Sequence, residues 1–271
     1  MEILVYIFVF FFGLTVGSFL NCVIYRLALH QYIGEGLKGR SFCPNCKHQL
    51  SWQDLIPLLS FLILKGKCRY CKKPISWQYP LVELATAIVF LSIFQLTIDN
   101  QQLAIPSIFN FCYLLIVACF LIVIFVYDLE HYVIPDKIIY PAILVSGIWY
   151  LVSGIFFNTY TKYEILNTIY SVFGAAVFFL LIVLVSRGKW MGAGDIKLAF
   201  LMGLILGFPK ILAALFLAFL VGAIIGVGLI LGGKKTLKSE VPFGPFLVTG
   251  TFIALFWGEN IIKWYLNFFN V

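Results

Sequence analysis

Residues 107–127 read SIFNFCYLLIVACFLIVIFVY and are followed at once by Asp128. The run carries no charged side chain, and as a helix it rises roughly 30 Å, the thickness of a bilayer's hydrocarbon. Working outward, comparable apolar segments lie near 3–25, 80–98, 138–156, 166–186, 196–207, 211–232 and 244–268. The segment 196–207 is the shortest, so it is either a short span or the visible part of a broken one. The pattern predicts an all-α polytopic membrane protein of about eight transmembrane helices. Composition agrees: 62% of residues are hydrophobic and 11% charged, whereas a soluble domain is about half apolar and a quarter charged. The first apolar run has no basic stretch before it and no small-residue cleavage site after it. It therefore reads as a retained span rather than a signal peptide.

Charge sets the orientation. Segment 28–79 carries eight Lys and Arg against Glu35 and Asp54, a net +6 of the chain's +7. Under the positive-inside rule this segment is cytosolic. The other loops alternate consistently, with Arg187, Lys189 and Lys197 inside, together with Lys234, Lys235 and Lys238. Residues 99–106 lie outside without a Lys or Arg, and Lys162, Lys210 and Lys263 are also left outside. Both termini are then extracytosolic, in a multi-pass protein of the cytoplasmic membrane. Topology accounts for the basic balance, so no nucleic-acid partner is needed; membrane lipid is the solvent. Three regions follow: a first transmembrane helix at 1–27, a cytosolic loop at 28–79 and a membrane core at 80–271.

The loop contains Cys43-Pro44-Asn45-Cys46 and Cys68-Arg69-Tyr70-Cys71, two C-x2-C pairs separated by 21 residues. Two such knuckles bring four thiolates to a tetrahedral ion, most often zinc. A reducing cytosol disfavours structural disulfides, leaving free or redox-active pairs as the other reading. Four cysteines fill the coordination of zinc, so a metal here is structural. Cys22, Cys112 and Cys119 lie in apolar runs and read as packed thiols.

Charges at the rim of a span are costly. Asp128 ends the third apolar run, and Asp195 opens the sixth in Met191-Gly192-Ala193-Gly194-Asp195-Ile196-Lys197. Gly192 and Gly194 leave room for an extended substrate backbone beside Asp195. The alternative is a plain turn with Asp195 as a helix cap. At one depth and facing one side, the two acids read together as the catalytic pair of an aspartic peptidase. Like charges held close do not both ionise easily, so the pair holds one proton near neutral pH and titrates as a unit. The ionised member draws a proton from attacking water, and the protonated member donates to the peptide carbonyl. Glu130 and Asp136 compete for the part but sit in a polar loop, where Asp136 caps the fourth span. His131 reads as a solvated rim histidine. Lys197 stands two residues from Asp195 and does not face it on a helix. Glu83, just inside the second span, either holds a helix pair together or contacts a polar ligand.

These blocks resemble the type IV prepilin peptidases, of the GxGD group of membrane aspartic peptidases. The resemblance rests on Gly17-Ser18-Phe19-Leu20-Asn21 with Tyr25-Arg26-Leu27, the two cysteine knuckles, Leu58-Leu59-Ser60 and Gly66-Lys67. It continues through Pro74-Ile75-Ser76, Tyr79-Pro80-Leu81-Val82-Glu83-Leu84, Asp128 with Ile134-Pro135-Asp136, Gly192 to Lys197, and Pro242-Phe243-Gly244-Pro245-Phe246. Ala28-Leu29 departs from the pattern where a proline is expected. The resemblance implies cleavage of prepilin or pseudopilin leaders at the cytosolic face by Asp128 and Asp195. Gly192, Gly194 and Lys197 support the pair, and cleavage itself needs no cofactor. It also implies methylation of the new N-terminal residue from S-adenosylmethionine, with Gly66, Lys67 and Glu83 as the positions concerned. Two alternatives stay open: a GxGD peptidase without methyl transfer, and a transporter or membrane scaffold with a zinc knuckle at Cys43, Cys46, Cys68 and Cys71.

Overall fold

The computed structural model describes residues 2–33, 39–99, 105–156, 161–233 and 241–268. Glu35, Lys38, residues 100–104 and the basic group Lys234, Lys235 and Lys238 lie outside the described residues. Among the described residues there is no strand, only two isolated bridges, Phe42 with Gln49 and Lys67 with Pro74. The helices are α1 (Glu2–Ile33), α2 (Leu59–Ile63), α3 (Gln78–Phe94), α4 (Ile105–His131) and α5 (Asp136–Phe156), then α6 (Lys162–Ser186), α7 (Ala193–Leu206), α8 (Lys210–Leu231) and α9 (Gly244–Phe268).

Among the described residues, seven helices are long and apolar enough to cross a membrane: all but α2 and α7. The sixth expected span is α7, whose 14 residues rise only about 21 Å. It falls short because Gly207 turns the chain with φ 65° before Phe208-Pro209.

The chain divides into two compact units, Met1–Val123 and Ile124–Val271. In the first, α1 lies against α3. Lipid tails give two apolar helices no hydrophobic reason to associate, so close backbone contact must hold them. Gly13 and Gly17 permit it: a Cβ on Gly13 would lie 2.6 Å from Ala87 Cα, and one on Gly17 would lie 2.7 Å from Glu83 Cα. Tyr6 closes the far end edge-on against Phe94, with ring centroids 5.1 Å apart. In the second unit, α7 packs against α5, α6, α8 and α9. Leu198, Leu201 and Met202 on α7 are wholly buried, and Ser171 of α6 donates to the Gly203 carbonyl at 3.2 Å.

Candidate active site

Asp128 stands in the last turn of α4 and is 4% exposed; Asp195, in the first turn of α7, is 8% exposed. They are near enough for the charge of one to act on the other. Each faces the N-terminal end of a helix, where unpaired amide N–H groups favour negative charge. The Gly192 N–H donates to Asp195 Oδ2 at 3.2 Å, so the capping role and the pairing role coexist in one side chain. Asp128 accepts from the backbone N–H of Gly244 at the start of α9.

Two glycines set the space. A Cβ on Gly244 would fall 2.5 Å from Asp128 Oδ2, and one on Gly194 would fall 3.0 Å from Ile134 Cβ. Ile134, buried in the turn between α4 and α5, also approaches the Gly244 position at 3.5 Å. It therefore packs against both glycines, one next to Asp195 in the chain and the other bonded to Asp128. Sequence reasoning assigned no role to Gly244 or Ile134. The signal available was Gly244 followed by Pro245 at the head of an apolar run, since proline favours the first helical turn and a helix start offers N–H donors.

The neighbouring candidates lie elsewhere. Lys197 Nζ pairs with Asp136 Oδ1 at 2.5 Å and sits 4.8 Å over the Tyr140 ring. It ties the start of α7 to the start of α5 and, among the described residues, forms no ion pair with Asp195. Asp136 occupies the first turn of α5. Glu130 is exposed, while the His131 ring lies tilted at 50° against Tyr127 with centroids 4.5 Å apart.

In the other unit, the Sγ atoms of Cys43, Cys46, Cys68 and Cys71 all lie within 4.8 Å of one another. Cys43 and Cys71 are 3.9 Å apart, against about 3.8 Å for sulfurs at the corners of a zinc tetrahedron with 2.3 Å bonds. The two knuckles share one backbone design. Cys43 N–H donates to His48 and Cys68 N–H to Lys73, while Lys47 N–H returns to Cys43 and Lys72 N–H to Cys68. Lys47 and Lys72 both take a positive φ, 58° and 60°, which the turn imposes at a cost of about 1 kcal/mol or more each. Burial would raise the Cys43 thiol, but the N–H groups of Cys46 and Asn45 and the neighbouring thiols draw it down to about 7. The donor set fits a tetrahedral divalent ion. Of the other cysteines, Cys112 is exposed rather than packed, and Cys22 and Cys119 are intermediate.

Asp54 clips the knuckles together: it accepts from Arg69 Nε at 2.7 Å and from the Ser51 hydroxyl at 2.9 Å. Its burial works against the charged form, but these donors hold its carboxyl below the usual range. Gly66, with φ 66°, leads into the second knuckle, and Lys67 beside it is exposed. Glu83 is 7% exposed in α3, and its Oε2 accepts from the Leu58 N–H at 2.8 Å.

Residues 11–97 match the family model of the bacterial peptidase A24 N-terminal domain, and residues 115–227 match that of the type IV leader peptidase family. The chain is 34% identical to the prepilin leader peptidase/N-methyltransferase of Aeromonas hydrophila, over 96% of this chain and 93% of that one. The proteins of the same name in Bacillus subtilis and Legionella pneumophila are 33% and 32% identical, over 95% and 97% of this chain and 96% and 95% of theirs. No solved structure shows a significant match.

Proposed function

The chain belongs to the type IV leader peptidase family, and we propose that it cleaves prepilin or pseudopilin leaders with Asp128 and Asp195 and then methylates the new N-terminus. The observation that carries the peptidase reading is the buried carboxylate pair, each member held by one backbone N–H at a helix start. One carboxyl is ionised and takes a proton from water as it attacks the scissile carbonyl. The other carries the shared proton and gives it to the carbonyl oxygen. Gly192, Gly194 and Gly244 present no side chain where the substrate backbone must approach. Lys197 acts at one remove by fixing the start of α7.

A pilin precursor has an apolar helix behind a short charged leader, so its scissile bond lies at the membrane rim. The basic excess of 28–79 supports a cytosolic position for that rim, with both termini on the far side. Methylation from S-adenosylmethionine is assigned to the cysteine-bearing loop and its seam with the membrane helices, through Gly66, Lys67 and Glu83. Zinc held by Cys43, Cys46, Cys68 and Cys71 supplies folding energy to the loop and leaves no ligand position open.

The test is incubation of the purified protein with a prepilin and S-adenosylmethionine, reading the mature N-terminus by mass spectrometry. Cleavage with a one-methylene mass increment is the expected result. Cleavage without it leaves a peptidase alone, and cleavage that survives both Asp128→Asn and Asp195→Asn would falsify the mechanism.

A further inference from the structure

The seam between α1 and α3 buries more polar chemistry than two packed helices require. Asn21 is 4% exposed and Glu83 is 7% exposed. The Glu83 carboxylate accepts from the Leu58 N–H at 2.8 Å and from the Ser18 hydroxyl. It forms no ion pair among the described residues. Asn21 Nδ2 donates to the Tyr79 carbonyl at 3.1 Å, which settles the orientation of the amide. Its Oδ1 is buried with no hydrogen-bond partner. A buried carbonyl oxygen without a donor and a buried carboxylate without a counter-charge both cost stability. The two deficits have one sign: acceptors lacking a donor, and negative charge lacking positive.

The spacing narrows the ligand. Ser18 and Asn21 are a turn apart on α1, and Tyr79 and Glu83 a turn apart on the facing stretch of α3. Asn21 and Glu83 thus stand about one helical turn apart along the seam, roughly 5 Å of axial rise. A primary ammonium carries three N–H donors and a positive charge, so one group can serve both the Asn21 oxygen and the Glu83 carboxylate. A hydroxyl has only one proton to give, and a sulfonium has no N–H at all.

The third wall is a strained turn. Leu58 takes φ 57° and ψ −48°, and the Leu59 N–H donates to the Pro57 carbonyl at 2.6 Å. That is the rare γ-turn of positive φ, a conformation that gathers at ligand clamps. Here it is pinned by the Glu83 carboxylate itself.

We propose that Asn21 and Glu83 form a receptor for a primary ammonium group, enclosed by α1, α3 and the Leu58 turn. The source of the ligand rests on the methyl-transfer reading given above. Two reactants in that chemistry carry a primary ammonium: the newly exposed N-terminus of the mature pilin and the methionyl end of S-adenosylmethionine.

Full-length protein in nanodiscs separates them by equilibrium dialysis. The probes are a mature-pilin N-terminal peptide, the same peptide N-acetylated, S-adenosylmethionine, and its analogue lacking the amino group. The wild type binds at least one free amine about tenfold or more tighter than its blocked partner, the scale of one charged hydrogen bond. Glu83→Gln, which keeps an acceptor for Leu58, and Asn21→Leu each abolish that preference. Preference confined to the peptide assigns the pilin terminus; preference confined to the donor assigns S-adenosylmethionine. Equal binding of free and blocked probes by the wild type overturns the proposal, and so does full preference in a variant that melts like the wild type. Binding is read without turnover. A protein that passes this test yet transfers no methyl group would retire the methyl-transfer reading and leave the receptor standing.

Discussion

In the unit Met1–Val123, four cysteine sulfurs converge from two knuckles in one stretch of chain. In Ile124–Val271, two carboxylates converge from helix ends 67 residues apart, and one of them, Asp128, is met by the first N–H of a third helix. The first centre is a local design made twice, with the same hydrogen bonds and the same positive φ after each pair. The second has no local design and exists only once α4, α7 and α9 have packed. Damage to the first centre should therefore stay in its loop. Damage to the second should register at once in chemistry, even where the fold is untouched.

The largest expected effect is on the acid pair. Asp195→Asn lowers leader cleavage on the order of 10³-fold, as for loss of an acid–base group. Its melting temperature in detergent stays within a few degrees of the wild type. Cleavage near the wild-type rate would end the claim that the second centre is chemical. Next comes Gly244→Ala, whose new methyl falls 2.5 Å from Asp128 Oδ2 and displaces the carboxylate. A cleavage loss of about 10²-fold is expected from a misplacement of that kind, visible as a fall in kcat. Cys71→Ser is the counterpart in the first centre. Zinc measured by elemental analysis falls from about one per chain to well below half, and the loop becomes open to proteolysis. Leader cleavage changes by less than about threefold, within the range of an exposed contact; a larger loss would erase the contrast between the centres.

Smaller effects sharpen it. Lys197→Met removes the pair with Asp136, whose carboxylate is 61% exposed, so cleavage falls only about two- to fivefold. Asp54→Asn removes the clip between the knuckles. Because that carboxyl is held below its ordinary value near 4, its stabilisation is present above that range. It is lost as the pH falls through the depressed value. The variant melts lower than the wild type at pH 7, by no more than about 1 kcal/mol given the exposed Arg69 partner. The difference should vanish by a pH of about 2, and a gap that widened on acidification would refute the sign.

The span pattern was legible because lipid demands long uncharged runs, and the 107–127 run meets that demand without any tertiary help. Segment 196–207 was read as the shortest of the apolar runs, and α7 is accordingly shorter than each of the seven helices long enough to cross on their own. The convergence of the four cysteines was equally readable, since two C-x2-C pairs stand out by spacing alone. What did not show was the part played by Gly244 and Ile134. A backbone N–H carries no side-chain signature, and an isoleucine packed on two glycines looks like any other apolar residue. Lys197 was visible as a charge near Asp195, but its partner across α5 depends on helix packing. Asn21 passed as part of a family signature, because an orphaned oxygen is a fact of three dimensions alone.

The glycines along α1 have a thermal consequence. When α1 and α3 separate inside a bilayer, the faces that part exchange each other for lipid tails and meet almost no water. The heat-capacity change that bends the stability curve of a soluble core comes from wetting apolar surface, and here little is wetted. The free energy of that pairing should therefore run nearly straight with temperature, with no optimum and no cold-induced release. Contact geometry rather than solvent sets how long the helix pair endures.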